Sequence, residues 1–137
     1  MPEDYQPAVR SVDDLPPDNR RGGDIRTMLS PKSVGCTGAY MGVAMIQPGD
    51  WIAEHYHPFS EEFLYVASGS IIAELDGVRH ELPARHAAFI PMNVKHRLRN
   101  DGDEEAVVVF TAAPLAPRPP MGHVDTEQRE PAAAPAS

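Results

Sequence analysis

Two histidines two residues apart carry the first chemistry in this chain. In Gly49-Asp50-Trp51-Ile52-Ala53-Glu54-His55-Tyr56-His57 the residues read as a strand, and a period of two puts both imidazoles on one face, where they can chelate a cation. Five residues on, Glu62 shares its parity with Leu64 and Val66, so its carboxylate is predicted to point inward with the apolar side chains. Buried alone, such a group costs several kcal/mol or takes up a proton; a cation or a donor relieves it. A third histidine, His96, starts the segment HRLRN. It shares a face with Leu98, while Arg97 and Arg99 point the other way. Three imidazoles and a carboxylate suit one divalent transition metal per chain, zinc first, with iron, nickel, copper and manganese as alternatives, and they leave positions for water or substrate. His55, His57, Glu62 and His96 are the expected ligands, and Glu62 and His96 the residues expected to take part in catalysis. Glu62 either binds the ion or stands one water away as a general acid or base.

These residues need rigid walls, and the chain is patterned for strands. Short segments rich in β-branched and aromatic residues alternate with turn dipeptides, with no helical periodicity of useful length. Strands are predicted at residues 25–29, 40–46, 51–57, 62–67, 70–75, 78–82, 87–90, 96–100 and 106–112. Asp76-Gly77 between two alternating runs predicts a two-residue hairpin. Nine short strands can bury one face each only in a sandwich or a small closed barrel. Residues 1–24, acidic and proline-containing, are expected to form an extended arm. Residues 25–113 form the barrel, and residues 114–137 a Pro/Ala-rich tail whose last seven or so residues are expected to be disordered.

With these motifs in place, the chain resembles the cupin superfamily. The first cupin motif is a glycine, five residues, His-x-His, three or four residues, a glutamate, six residues and a glycine. Gly49, His55, His57, Glu62 and Gly69 match it, and the step to Gly69 selects Glu62 over Glu61. In the second motif Pro91, His96 and Asn100 match, while Arg85 and Asn93 replace glycines. Asn93 can take a left-handed turn; Arg85 lacks glycine's freedom, which puts the turn before AAFI in question. The likeness covers about residues 40–112 and implies an all-β, single-domain cupin, a double-stranded β-helix or jelly-roll barrel. The runs EHYHPFSEEFLYV, HRLRN and APLAPRPPMGHVDTE are similar to small cupin cyclases of aromatic polyketide pathways of the tetracenomycin, spore-pigment and resistomycin types. That likeness implies a metal-dependent cyclase acting on a small-molecule polyketide, free or tethered to a carrier protein. The same ligands with iron, nickel or copper would suit an oxygenase acting on a polyphenol or quinol, and a non-catalytic small-molecule-binding cupin is a third reading.

Composition removes other classes. A net charge of −8 and a pI near 5.1 repel phosphate backbones and anionic lipid, so neither nucleic acid nor membrane is an expected partner. The single cysteine, Cys36, excludes an intramolecular disulfide and fits a reducing cytoplasm. The opening residues lack the basic start and apolar run of a secretory leader. His80 and His86 are read as surface residues, with His86 a possible additional ligand or partner of one, and His123 in the tail ranks lowest. Tyr40, Met45, Trp51, Tyr65, Phe89 and Met92 are candidates to line an apolar substrate pocket. A homodimer is expected, with the arm and residues 25–29 pairing with or crossing a neighbour.

Overall fold

The computed structural model describes Glu3 and residues 8–130; the expected disorder at the end of the tail falls outside the described residues. Ten strands follow in chain order: β1 (Asp24–Leu29), β2 (Tyr40–Ile46), β3 (Trp51–Tyr56), β4 (Glu61–Ser68), β5 (Ser70–Leu75), β6 (Val78–Pro83), β7 (Ala87–Ile90), β8 (His96–Arg99), β9 (Ala106–Ala113) and β10 (Val124–Asp125). One turn of helix, α1 (Pro31–Val34), follows β1; Ser30 and Ser33 cap it reciprocally and Gly35 ends it in a left-handed conformation. The first nine strands lie within two residues of the predicted segments at either end. The tenth, in the tail, was not predicted.

The strands form two five-stranded sheets, β1-β2-β9-β4-β7 and β10-β3-β8-β5-β6, with every named pairing antiparallel. This is the all-β two-sheet barrel the pattern predicted. Alternation decides which residues go in: on β4, Glu62, Leu64 and Val66 are buried while Phe63 and Tyr65 are exposed. Ile46, Val66, Ile71, Ala106 and Val108 are fully buried in the core between the sheets.

Buried Asn100 ties this core together. Its amide donates to Ile46 O at 2.8 Å and Glu104 O at 2.7 Å and accepts from Gly102 N at 2.9 Å, so its polar atoms are satisfied without solvent. Arg85 does take glycine's place, at φ 71°. Its amide donates to Val66 O at 2.7 Å, and the sheet imposes a left-handed conformation that costs an ordinary residue about 1–2 kcal/mol. Asn93, at φ 67°, donates its amide to His57 O at 3.0 Å and so links the two halves of the motif.

The arm and the tail both return to the barrel. Asp18 bridges Ile25 on the free edge of β1, and Arg21 O accepts from Ala53 N at 2.7 Å. The tail passes over the barrel mouth, and β10 then pairs with β3.

Candidate metal centre

One extra residue in β3 aims the first two candidate ligands. Trp51 and Ile52 lie opposite Arg99 and Leu98 on β8, but His55 lies opposite His96, with the register shifting between Ile52 and His55. Ile52 already faces inward. In unbroken alternation Glu54 and Tyr56 would follow it in, and His55 would face out. The β-bulge at Ala53–Glu54 reverses that parity. Its backbone is held from outside the strand: Ala53 N donates to Arg21 O, Glu54 N donates to Glu127 Oε1 at 2.8 Å, and Glu54 O accepts from Thr126 N and Glu127 N. Glu127 also accepts from Arg97 Nε at 2.7 Å and Trp51 Nε1 at 3.1 Å.

His55, His57, Glu62 and His96 come together with one ligand atom from each within 4.8 Å of one another, all four residues buried. Each ring is oriented by a main-chain carbonyl: Nδ1 lies 2.8 Å from Ala53 O in His55, 2.7 Å from Gly122 O in His57 and 3.0 Å from Val94 O in His96. A carbonyl only accepts, so each Nδ1 carries the hydrogen and each Nε2 turns a lone pair inward. Glu62 Oε2 lies 2.9 Å from His96 Nε2 and 3.2 Å from His57 Nε2. Yet Glu62 Oε2 and His96 Nε2 are buried without a well-formed hydrogen bond. Two inward lone pairs at that separation repel unless a proton or cation lies between them, and a divalent ion satisfies all four donors together. The donor set could hold a divalent metal ion.

The electrostatics agree. Burial opposes the Glu62 charge, but the His57 and His96 contacts outweigh it and hold the carboxyl well below the usual carboxylate range. Burial also opposes charge on His57, and Glu62 overcomes it, raising that imidazole above its ordinary value. His55 moves the other way, lowered by burial and by the neighbouring His96 and His123.

His123, ranked lowest in the sequence, sits beside the cluster. Its ring stacks on His55 at 4.2 Å and 15°, and its Nε2 donates to Asp125 Oδ1 at 2.8 Å, which also accepts from Arg21 Nε at 2.8 Å. Burial and then Arg21 depress His123 to about 4. His80 and His86 are exposed on the surface; His86 Nδ1 donates to Ala84 O.

The four residues line a cavity of about 670 Å³ together with Ile25, Leu64, Phe110 and the tail residues Leu115, Ala116 and His123. Of the six pocket candidates only Tyr40 lines it. Met45 has the opposite parity to buried Ala44 on β2. Trp51 turns outward beneath the Arg129 guanidinium, 3.8 Å from its ring centroid. Tyr65, Phe89 and Met92 are exposed, and alternation places Tyr65 opposite in direction to Glu62 and Leu64. The tail wall takes their place; its composition carried no periodicity by which to assign it.

The histidine shifts set the acid response of the metal-free protein. His55 and His123 stay neutral in the fold below the 6.5 at which they would charge when unfolded, so the unfolded chain binds more protons and stability drops as pH falls from about 6.5 toward 4. Raised His57 and lowered Glu62 do not reverse this, because both are charged in folded and unfolded chains through most of that window. Denaturant midpoints should therefore fall between pH 7 and pH 5, and His123→Phe should flatten the fall. A midpoint unchanged in the parent would contradict the assigned directions.

A model of the cupin domain matches residues 42–112. Polyketide synthase CurC of Streptomyces cyaneus is 51% identical over 122 residues, covering 89% of this chain and 79% of CurC. Tetracenomycin polyketide synthase protein TcmJ of Streptomyces glaucescens is 43% identical over 126 residues, covering 91% and 85%. Among solved structures, polyketide cyclase RemF of Streptomyces resistomycificus superposes with a TM-score of 0.70 at 17% identity, covering 91% of this chain and 89% of RemF.

Proposed function

This chain belongs to the cupin family, and from that premise we propose that it is a metal-dependent polyketide cyclase, promoting aldol-type ring closure and dehydration of an aromatic polyketide intermediate. The observation that carries the reading is the buried cluster of three imidazoles and one carboxylate inside a cavity of about 670 Å³, a size that suits a folded small molecule. The names of CurC, TcmJ and RemF supply the substrate class.

His55, His57, His96 and Glu62 would hold a divalent ion, zinc in this reading, which would supply Lewis acidity to the site. The protein supplies the rest. Burial, and then the Glu62 charge, push Tyr40 up to about 12, so its hydroxyl stays protonated and can donate to a carbonyl or enolate oxygen at the cavity wall. His123 has Nε2–H committed to Asp125, which leaves Nδ1 as the atom able to take a proton from an activated carbon. Ile25, Leu64, Phe110 and Leu115 exclude water and hold a flexible chain folded so that two of its carbons meet. Glu62, held ionised, keeps the ligand set anionic.

The test is product analysis under strict anaerobiosis with a reactive poly-β-ketone. Zinc-loaded protein should change the cyclised products relative to buffer, and chelation should abolish the change. Products identical to buffer with zinc, together with oxygen uptake by an iron, nickel or copper form on a phenolic substrate, would replace the cyclase by an oxygenase.

A further inference from the structure

The cavity changes character along its depth. Its buried end holds the clustered imidazoles and Glu62 beside Leu64, Leu98 and Val108, and its open end is rimmed by the exposed residues Arg20, Pro31, Lys32 and Pro119. Most charges along that path already have partners. Arg20 Nε and Nη2 donate to the two oxygens of Asp18 at 3.0 and 2.8 Å, and Arg21 Nε donates to Asp125 at 2.8 Å. Lys32 is the exception: its ammonium has no hydrogen-bond or ion-pair partner among the described residues. Its backbone is nevertheless held, because the Ser30–Ser33 cap and Gly35 close α1 and Ser33 Oγ donates to Met28 O at 3.3 Å. Other cations without an ion pair gather near it. Among the described residues these are Arg10, Arg85, Lys95 and Arg118. Arg10 Nη2 donates to Ser33 O at 3.2 Å, next to Lys32, and Arg118 stands in the tail between Pro117 and Pro119, which both line the cavity. In a chain of net charge −8, a rim with positive charge left over reverses the field locally.

We propose that the rim at Lys32 binds an anionic oxygen group, a carboxylate or a phosphate, on the end of the ligand that stays at the mouth, while the uncharged chain reaches in to the buried cluster. This rests on the cavity being the ligand site that the cyclase reading requires. The two ends of the cavity sort the two ends of such a ligand. Leu64, Leu98 and Val108 would strip water from a charged end without replacing it. Lys32, exposed and unpaired, offers an anion up to three donors while keeping its own water. A small number of polar groups in an otherwise apolar pocket is what fixes orientation, and here the charged end is held outward so that the ketones face the imidazoles and Glu62.

Calorimetric titration of the full chain with three planar probes tests this: an anthraquinone carboxylic acid, its neutral methyl ester and an anthraquinone alkyl phosphate. At low ionic strength the acid or the phosphate should bind about 5-fold more tightly than the ester, the size expected of an exposed ion pair. The preference should shrink at about 1 M salt, where charges are screened within roughly 3 Å. Lys32→Ala should bring the ratio close to one and Lys32→Glu should invert it, whereas Arg79→Ala, the same change of net charge on β6 of the other sheet, should leave it as it was. Whichever of the acid and the phosphate binds more tightly identifies the end group. Metal-free and zinc-loaded protein are compared, because an anion could also ligate the ion: a preference that disappears with the metal and ignores Lys32 would belong to the cluster and overturn the proposal. Equal affinities for all three probes in the parent would overturn it too, with the cyclase reading left to its own product assay. If no probe bound, the cavity would not be a ligand site and both readings would fall.

Discussion

His96→Ala should weaken metal binding by about 10²- to 10³-fold while the barrel stays folded. Four-ligand sites bind zinc with roughly 10–16 kcal/mol, so one ligand accounts for about 3–4 kcal/mol of it, far more than the roughly 1 kcal/mol of the Nδ1 hydrogen bond lost with the ring. His96 is 1% exposed, which leaves little room for a substitute ligand from solvent. His55→Ala and His57→Ala should show losses of the same order. Equilibrium dialysis with elemental analysis reads the effect, and near-ultraviolet circular dichroism reports the fold. Unchanged affinity in all three variants would remove these residues from the metal site.

Glu127→Ala is expected to lower metal affinity by about 10- to 100-fold although Glu127 is not among the four clustered ligand residues. Its two oxygens accept from Glu54 N, Arg97 Nε and Trp51 Nε1, and the first of these is the free amide of the bulge that turns His55 inward. Truncation leaves three donors seeking partners, at a cost of about 2–4 kcal/mol in stability. It also lets β3 relax toward the unbulged register in which His55 faces out. Glu127→Gln, which retains one acceptor oxygen, should lose much less of the affinity. Faster amide exchange at Glu54 in step with the weakened metal binding would separate an effect on the bulge from general loosening. Full affinity in Glu127→Ala would show that the bulge holds without the tail.

The cluster was readable in the sequence because each contributor lies in a short segment whose neighbours declare its direction: Glu62 by Leu64 and Val66, His96 by Leu98. His55 and His57 were assigned to one face, but that this face is the inner one depends on the bulge, and no residue type marks Ala53–Glu54 as the place of an insertion. The same alternation would have excluded Tyr65 and Met45 from the cavity, since the parity that sends Glu62 and Tyr40 inward sends them outward. Arg85 shows the opposite failure: its side chain argued against a left-handed turn, and the hydrogen bonds of Val66 with Arg85 and His86 impose one. His123, Asp125 and Glu127 act across more than sixty residues of chain, and contacts of that span leave no local pattern to read.

The three imidazoles take their orientation from the oxygens of residues 53, 94 and 122, which are peptide atoms that any amino acid would provide. The direction of the rings is therefore set by where the chain runs, while space limits replacement here: Ala53 is 1% exposed and a Cβ at Gly122 would lie 3.3 Å from Ala116 Cβ. A deletion or insertion between residues 114 and 122 would move the oxygen that fixes His57, so the spacing of the tail, more than its composition, is what a working copy of this chain has to keep.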